Sequence, residues 1–178
     1  MGKLFYIMGK SASGKDTIYQ RLLRNPEFSL ERLVIYTTRP IRDGELDGRE
    51  YHFVTEEDFQ KLKAEGKIIE DRGYETVYGL WRYFTADNMN LEEKSYLGIG
   101  TLESYEKLKA YYGEEKIRPI YIEVEDGERL KRAIAREETQ EAPKYEEMCR
   151  RFLADAQDFS EEKIRQAGIT HRFSNMDG

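Results

Sequence analysis

The sequence predicts an α/β fold, a parallel sheet flanked by helices and interrupted by an inserted subdomain. Three observations predict it. Short apolar β-prone runs alternate with amphipathic helical segments at both ends of the chain. A glycine-rich stretch directly follows the first such run and opens the first helix. Residues 37–85 break the alternation with short β pieces and a single helix.

Each element has its own signal. Lys3 to Met8 is an apolar run ending in glycine and reads as a buried strand. Lys15 to Arg24 puts Ile18, Leu22 and Leu23 on one helical face, and "NPEF" stops it. Arg32 to Thr38 reads as a second strand, and Pro40 to Gly48 as a polar loop. "YHFV" is a short strand. Thr55 and Asp58 then form a capping box for a helix that ends near Gly66. "KIIEDR" and "ETVYGLW" are short β pieces separated by Gly73. Alternation then returns. Ser95 to Ile99 is a strand, Thr101 to Tyr112 a helix, Ile117 to Val124 a strand and Asp126 to Arg136 a helix. A loop over 137–145 holds Pro143, one long helix runs from Glu146 to Gln166, and Thr170 to Phe173 forms a last strand.

Bulk properties narrow the function classes. At 178 residues the chain suits one domain with a sizeable core. Its composition is 39% hydrophobic and 36% charged, that of a soluble globular chain. No apolar run approaches the ~20 residues of a membrane helix, and "KLFYIM" at the N-terminus lacks the layout of a signal peptide. The single cysteine, Cys149, forms no internal disulfide, fits a reducing cytoplasm, and reads as packing beside Met148 and Phe152. His52 and His171 lack metal-ligand spacing and read as structural. A net charge of −6 argues against extended nucleic-acid contact, whereas a small anionic ligand answers to local arginines.

"MGKSASGKDT" matches the phosphate-loop pattern G-x-x-x-x-G-K-[ST] at Gly9, Gly14 and Lys15, with Asp16 in the hydroxyl position and Thr17 next. The small residues Gly9, Ser11, Ala12, Ser13 and Gly14 let backbone N–H groups converge on phosphate oxygens. The helix N-terminus adds a favourable dipole, and Lys15 supplies a point charge. This is a P-loop NTPase-type arrangement. Asp16 is itself a hard oxygen ligand for Mg²⁺. It can hold the ion directly, hold it through water, or point away and favour the helix dipole.

"YTTRPIRDGELDGREYHFV", from Tyr36 to Val54, resembles the monophosphate-binding segment of guanylate kinases, with nearly every fixed letter present from Thr37 onward. With the phosphate loop before it, and "IIE" and "YG" after it, the resemblance covers most of the chain. It implies that Thr38, Arg39, Arg42, Tyr51 and Tyr78 bind the acceptor phosphate, and that Glu70 accepts hydrogen bonds from guanine N1–H and N2–H₂. The chemistry agrees, because a guanidinium fork grips phosphate bidentately and phenols donate to it. The later half resembles the kinase lid over about 132–150, with Arg132, Arg136 and Arg151 closing over the phosphoryl group and Asn175 in the place of the adenine-contacting loop. The same arginines also suit a solvated helix face. The resemblance divides one domain, 1–178, into a core of 1–36 and 86–178 and a monophosphate-binding subdomain of about 37–85.

Four positions depart from the family pattern. Ile35 or Tyr36, depending on alignment, replaces a small hydroxyl residue. Leu80 and Trp81 follow "YG" where a serine or threonine completes base recognition. Gly98 and Gly100 stand where the family has aspartates, and Asp16 is the fourth. One expectation joins two of them: Asp16 replaces the acidic group missing near the metal, with Thr17 as the neighbouring hydroxyl. The resemblance implies a phosphotransferase moving the ATP γ-phosphoryl, with Mg²⁺, to GMP or dGMP. Alternatives are another or modified (deoxy)nucleoside monophosphate as acceptor, or a catalytically weak binding module of the same fold. The implied partners are nucleotides, with neither nucleic acid nor membrane.

Overall fold

The computed structural model describes residues 1–176; Asp177 and Gly178 lie outside the described residues. Five parallel strands form the main sheet in the order β2-β7-β1-β8-β9. They are β1 (Leu4–Met8), β2 (Leu30–Arg32), β7 (Ser95–Ile99), β8 (Ile117–Glu123) and β9 (Arg172–Ser174). A second sheet of mixed direction has the order β4-β3-β6-β5, from β3 (Tyr36–Thr37), β4 (His52–Phe53), β5 (Ile68–Thr76) and β6 (Gly79–Ala86). The helices are α1 (Lys15–Arg24), α2 (Glu56–Ala64), α3 (Leu102–Tyr112), α4 (Asp126–Glu138), α5 (Tyr145–Asp158) and α6 (Glu161–Gln166).

The period-two alternation of β1 builds the two faces of the main sheet. Leu4, Tyr6 and Met8 pack with Leu102, Tyr105 and Leu108 of α3, and with Phe159 and Ile164 at the α6 end. Ile7 points the other way, with Leu97 and Ile122, to meet Ile18, Leu22 and Leu23 of α1. The second sheet has its own small core of Phe59 from α2 against Phe84 and Ala86 of β6. Thr55 and Asp58 form the expected reciprocal capping box at the start of α2.

Four expectations from the sequence change. The run 32–38 is not one strand. Leu30–Arg32 pairs with β7, while Tyr36–Thr37 pairs with β4 and β6, so a continuous β-prone run carries the chain from one sheet to the other. The two short β pieces form one long hairpin, paired from Ile68–Ala86 out to Thr76–Gly79, because Gly73 is accommodated within the ladder. The long helix 146–166 breaks at Phe159, which enters the main core, and Ser160 caps the start of α6 through the Lys163 N–H at 3.3 Å. Cys149 is exposed and Met148 fills the buried position beside it.

Candidate active site

The phosphate loop joins β1 to α1. Ala12 (φ 62°) and Gly14 (φ 82°) are both left-handed, the alternation that turns successive N–H groups into one concavity. Ala12 adopts this conformation at a cost of about 1 kcal/mol, the kind of strain found at functional loops. Gly9 must lack a side chain: a Cβ there would stand 2.8 Å from the Ile122 carbonyl and 2.9 Å from Ser13 Oγ. The Ser13 hydroxyl is buried in the loop with no hydrogen-bond partner among the described residues. Ser11, expected as a donor contact, has its backbone tied from behind. Its N–H donates to Asp155 Oδ2 at 2.9 Å and its carbonyl accepts from Arg129 at 3.0 Å.

The predicted lid residues partly converge on this loop. A pocket of about 250 Å³ is lined by Ala12, Gly14, Thr17, Arg132, Arg136 and Asn175, among others. Asn175 donates from its amide to the Ser13 carbonyl at 2.9 Å, and Arg132 donates to the Asn175 carbonyl at 2.9 Å. Arg151 is not among the residues lining that pocket. It lies 3.5 Å from the Glu137 carboxylate on α4, which is also absent from that lining. Lys15 is half-buried, with its ammonium 3.9 Å from the Asp16 carboxylate. Asp16 itself is 84% exposed, with Thr17 beside it at the start of α1.

The face expected to meet the acceptor comes from the hairpin register. Directly paired residues share a face, so Glu70 with Thr85, Arg72 with Tyr83, and Tyr74 with Trp81 form one stripe. The other face, with Phe84, packs on α2. Arg39, only 4% exposed, lies over the Tyr51 ring at 5.4 Å, and Tyr51 meets Tyr83 edge to face at 5.6 Å. Arg39 donates two 2.9 Å bonds to the Glu45 carboxylate, which pull its pKa down to about 2. The Arg42 N–H donates to the same carboxylate at 2.8 Å, leaving the Arg42 side chain exposed. Thr38 Oγ1 accepts from the Arg82 N–H at 2.9 Å and so ties the arginine loop to β6. Ile35, Tyr51, Arg72, Tyr74, Trp81 and Tyr83 enclose an open pocket of about 360 Å³.

Tyr78 corrects the sequence reading. It sits in the two-residue turn of the hairpin, 82% exposed and stacked on Trp81 with ring centres 6.1 Å apart, away from Arg39. Tyr83, which the sequence reading missed, is the phenol beside Arg39. Its signal was the two-residue alternation of Trp81, Tyr83 and Thr85, visible only once the two β pieces are read as one hairpin. Glu70 is 6% exposed and accepts from the Thr85 hydroxyl at 3.1 Å, with the Arg72 guanidinium 3.9 Å away.

The departures also find their places. Ile35 lines the pocket, whereas Tyr36 stacks on Phe84 at 5.1 Å. Gly98 and Gly100 lie under Tyr6. A Cβ on Gly98 would stand 2.8 Å from its ring, and one on Gly100 would stand 2.0 Å from its hydroxyl. Burial, with the Glu70 charge adding to it, pushes the Tyr6 phenol well above the ordinary tyrosine range. Among the described residues, no group of three His, Cys, Asp or Glu side chains is placed to hold a metal, and no helix is long and apolar enough to cross a membrane.

Comparison with known proteins places this architecture. A guanylate kinase family model matches residues 1–163. Guanylate kinase of Schizosaccharomyces pombe is 40% identical over 101 residues, 57% of this chain and 44% of that protein. Guanylate kinase of Wolbachia pipientis wMel is 31% identical over 157 residues, 88% of this chain and 75% of that protein. The crystal structure of guanylate kinase from Anaplasma phagocytophilum shares the fold, with a TM-score of 0.58 and 24% identity, covering 98% of this chain and 77% of that one. The chain spans about half the length of several of the curated relatives it matches. A matched family model over nearly the whole chain, joined to a phosphate loop and the TTRPIRDGE segment on this fold, shows that the chain belongs to the guanylate kinase family.

Proposed function

We propose that the chain is an ATP-dependent nucleoside monophosphate kinase that transfers the γ-phosphoryl group to GMP or dGMP. One observation carries this reading: the buried Glu70 carboxylate lies on the same hairpin face as Tyr83, the phenol beside the Arg39 guanidinium. An acceptor phosphate on Arg39, Arg42, Tyr51 and Tyr83 would place its base toward Glu70. Guanine presents two adjacent N–H donors to one carboxylate there, and adenine has no such pair. Glu45 holds Arg39 in advance, so the grip needs little ordering when the phosphate arrives.

On the donor side, the Ala12–Lys15 loop amides and the Lys15 ammonium would hold the ATP phosphates, with the Ser11 N–H committed to Asp155, and Asn175 would lie toward the adenine. Arg132 and Arg136 would neutralise charge on the transferring group, and Arg151 would join them as the lid closes. The acceptor phosphate is already anionic, so the reaction rests on positioning and charge, without an obligatory general base. The chemistry of Asp16 and Thr17 fits Mg²⁺, which takes one or two protein oxygens and completes its shell with phosphate and water. Mg²⁺ would enter with ATP, and it supplies charge neutralisation across the donor phosphates. In this reading 1–178 works as one domain, with the 37–85 subdomain and the 132–150 lid closing to exclude water. The lone cysteine and the nucleotide substrates fit a cytoplasmic enzyme.

A coupled assay with ATP against each common monophosphate tests the reading. Turnover with GMP or dGMP is expected, and Lys15→Ala should lower it by roughly 10²–10³-fold through loss of phosphate stabilisation. Turnover confined to another acceptor, or GMP binding with no turnover, overturns it.

A further inference from the structure

Arg129 is the largest fully buried side chain among the described residues, 1% exposed, and the reaction outlined above gives it no role. An isolated buried guanidinium is expensive, so its partners report what it is for. It bonds Asp126 Oδ1 at 3.0 Å on its own helix, lies 3.7 Å from Asp155 Oδ2 on α5, and stacks over Phe152 with its centre 4.7 Å from the ring. Its remaining bond crosses to the phosphate loop, where it donates to the Ser11 carbonyl at 3.0 Å. Asp155 completes the pairing by accepting the Ser11 N–H at 2.9 Å. Both backbone polar groups of one loop residue are therefore held by an ion pair that bridges two helices. Arg129 stands near the start of α4 and Asp155 near the end of α5. These are the root ends of the helices joined by the 139–144 connection. Arg132 and Arg136 follow Arg129 along α4.

We propose that Arg129 and Asp155 are positioning residues that clamp Ser11. The clamp presets the donor loop and joins it rigidly to the root of the lid, so that donor affinity depends on the ion pair and acceptor affinity does not. The proposal rests on the reading of Gly9–Thr17 as the ATP site. With Ser11 fixed from behind, the left-handed Ala12 that follows is kept in its strained conformation before the donor arrives. Without the clamp, ATP binding must itself order the loop, and the loss appears in donor affinity.

The test compares Asp155→Ala and Asp155→Asn with the unaltered protein, using calorimetric binding of MgATP, Michaelis constants for ATP and for GMP, and thermal midpoints. Asp155→Ala should raise the ATP constants about tenfold, the scale of one charge-assisted hydrogen bond, while the GMP constant stays within about twofold. Asp155→Asn, which keeps a carbonyl oxygen for the Ser11 N–H, should recover part of that loss. A purely structural role would lower the active fraction or raise both constants together, and either result overturns the clamp. Unchanged ATP constants in Asp155→Ala, in a protein whose unaltered form binds ATP, overturn the clamp alone. Failure of the unaltered protein to bind MgATP overturns the donor reading and the clamp with it. Amide exchange at Ser11 gives a check free of nucleotide: it should quicken in Asp155→Ala and remain slower in Asp155→Asn.

Discussion

Two tyrosines show how a single side chain's chemistry depends on its register. Tyr78 follows the family pattern letter for letter, yet it sits exposed in a hairpin turn, while Tyr83 lies beside Arg39 and Tyr51. Tyr83→Phe should therefore weaken GMP binding by about tenfold, the loss of a phenol donor to a charged phosphate, whereas Tyr78→Phe should change it less than twofold. Acceptor titration of both variants checks this, and equal losses would count against the assigned grip. Asp16 poses a metal question. Its carboxylate is exposed beside Thr17, with the Lys15 ammonium near it at 3.9 Å, so in the proposed reading Asp16→Ser should raise the Mg²⁺ concentration needed for half-maximal turnover severalfold. An unchanged Mg²⁺ titration would remove Asp16 from the metal site. Tyr6 explains the glycines at 98 and 100 by volume: its ring and hydroxyl fill the space into which a side chain at either position would project.

In the proposed reading, acceptor recognition rests on the β5–β6 hairpin, whose pairing register sorts its side chains between two faces. The face carrying Glu70, Arg72, Tyr74, Trp81, Tyr83 and Thr85 is the proposed acceptor side; the opposite face is anchored to α2 through Phe59 and Phe84, which meet edge to face at 4.9 Å. Both rings are fully buried. Phe84→Ala should cost about 3–5 kcal/mol of stability, and the damage should fall first on the second sheet, whose buried apolar cluster among the described residues is otherwise only Phe59 and Ala86. Chemical denaturation gives the total. Hydrogen exchange should show the 52–86 amides losing protection before those of β1 and β8; uniform loss would mean that the two sheets unfold as one unit. The break between α5 and α6 shows a related competition. Helical periodicity favours continuing through Phe159, but burial of that ring in the main core and the Ser160 cap stop the helix there.

Across the whole molecule, acid stability follows from many small ion pairs acting in one direction. Hydrogen bonds from arginine side chains lower the pKa values of Glu45, Glu56, Asp126, Glu147 and Glu161, and backbone N–H donors lower those of Glu50 and Asp58. A depressed folded-state pKa means the unfolded chain binds more protons. These groups therefore stabilise the fold above the ordinary carboxylate range near 4, and the stabilisation is lost as pH falls toward about 2, the Glu45 value. Thermal midpoints should be flat from about pH 6 to 8 and fall steadily below about pH 5, and Glu45→Gln should flatten part of that limb. An acid limb identical in Glu45→Gln would place the pH sensitivity elsewhere. The sequence by itself determined the main alternation, the phosphate loop, the α2 capping box and the TTRPIRDGE segment, because each depends on neighbours within a few residues: a period, a cap, or a glycine where backbone must approach closely. Only the tertiary structure decided which sheet each half of 30–37 joins, which tyrosine faces Arg39, what occupies the space above Gly98 and Gly100, and that Arg129 and Asp155 hold Ser11. Those outcomes depend on pairing register and on contacts between residues as many as 144 positions apart, which no local pattern encodes.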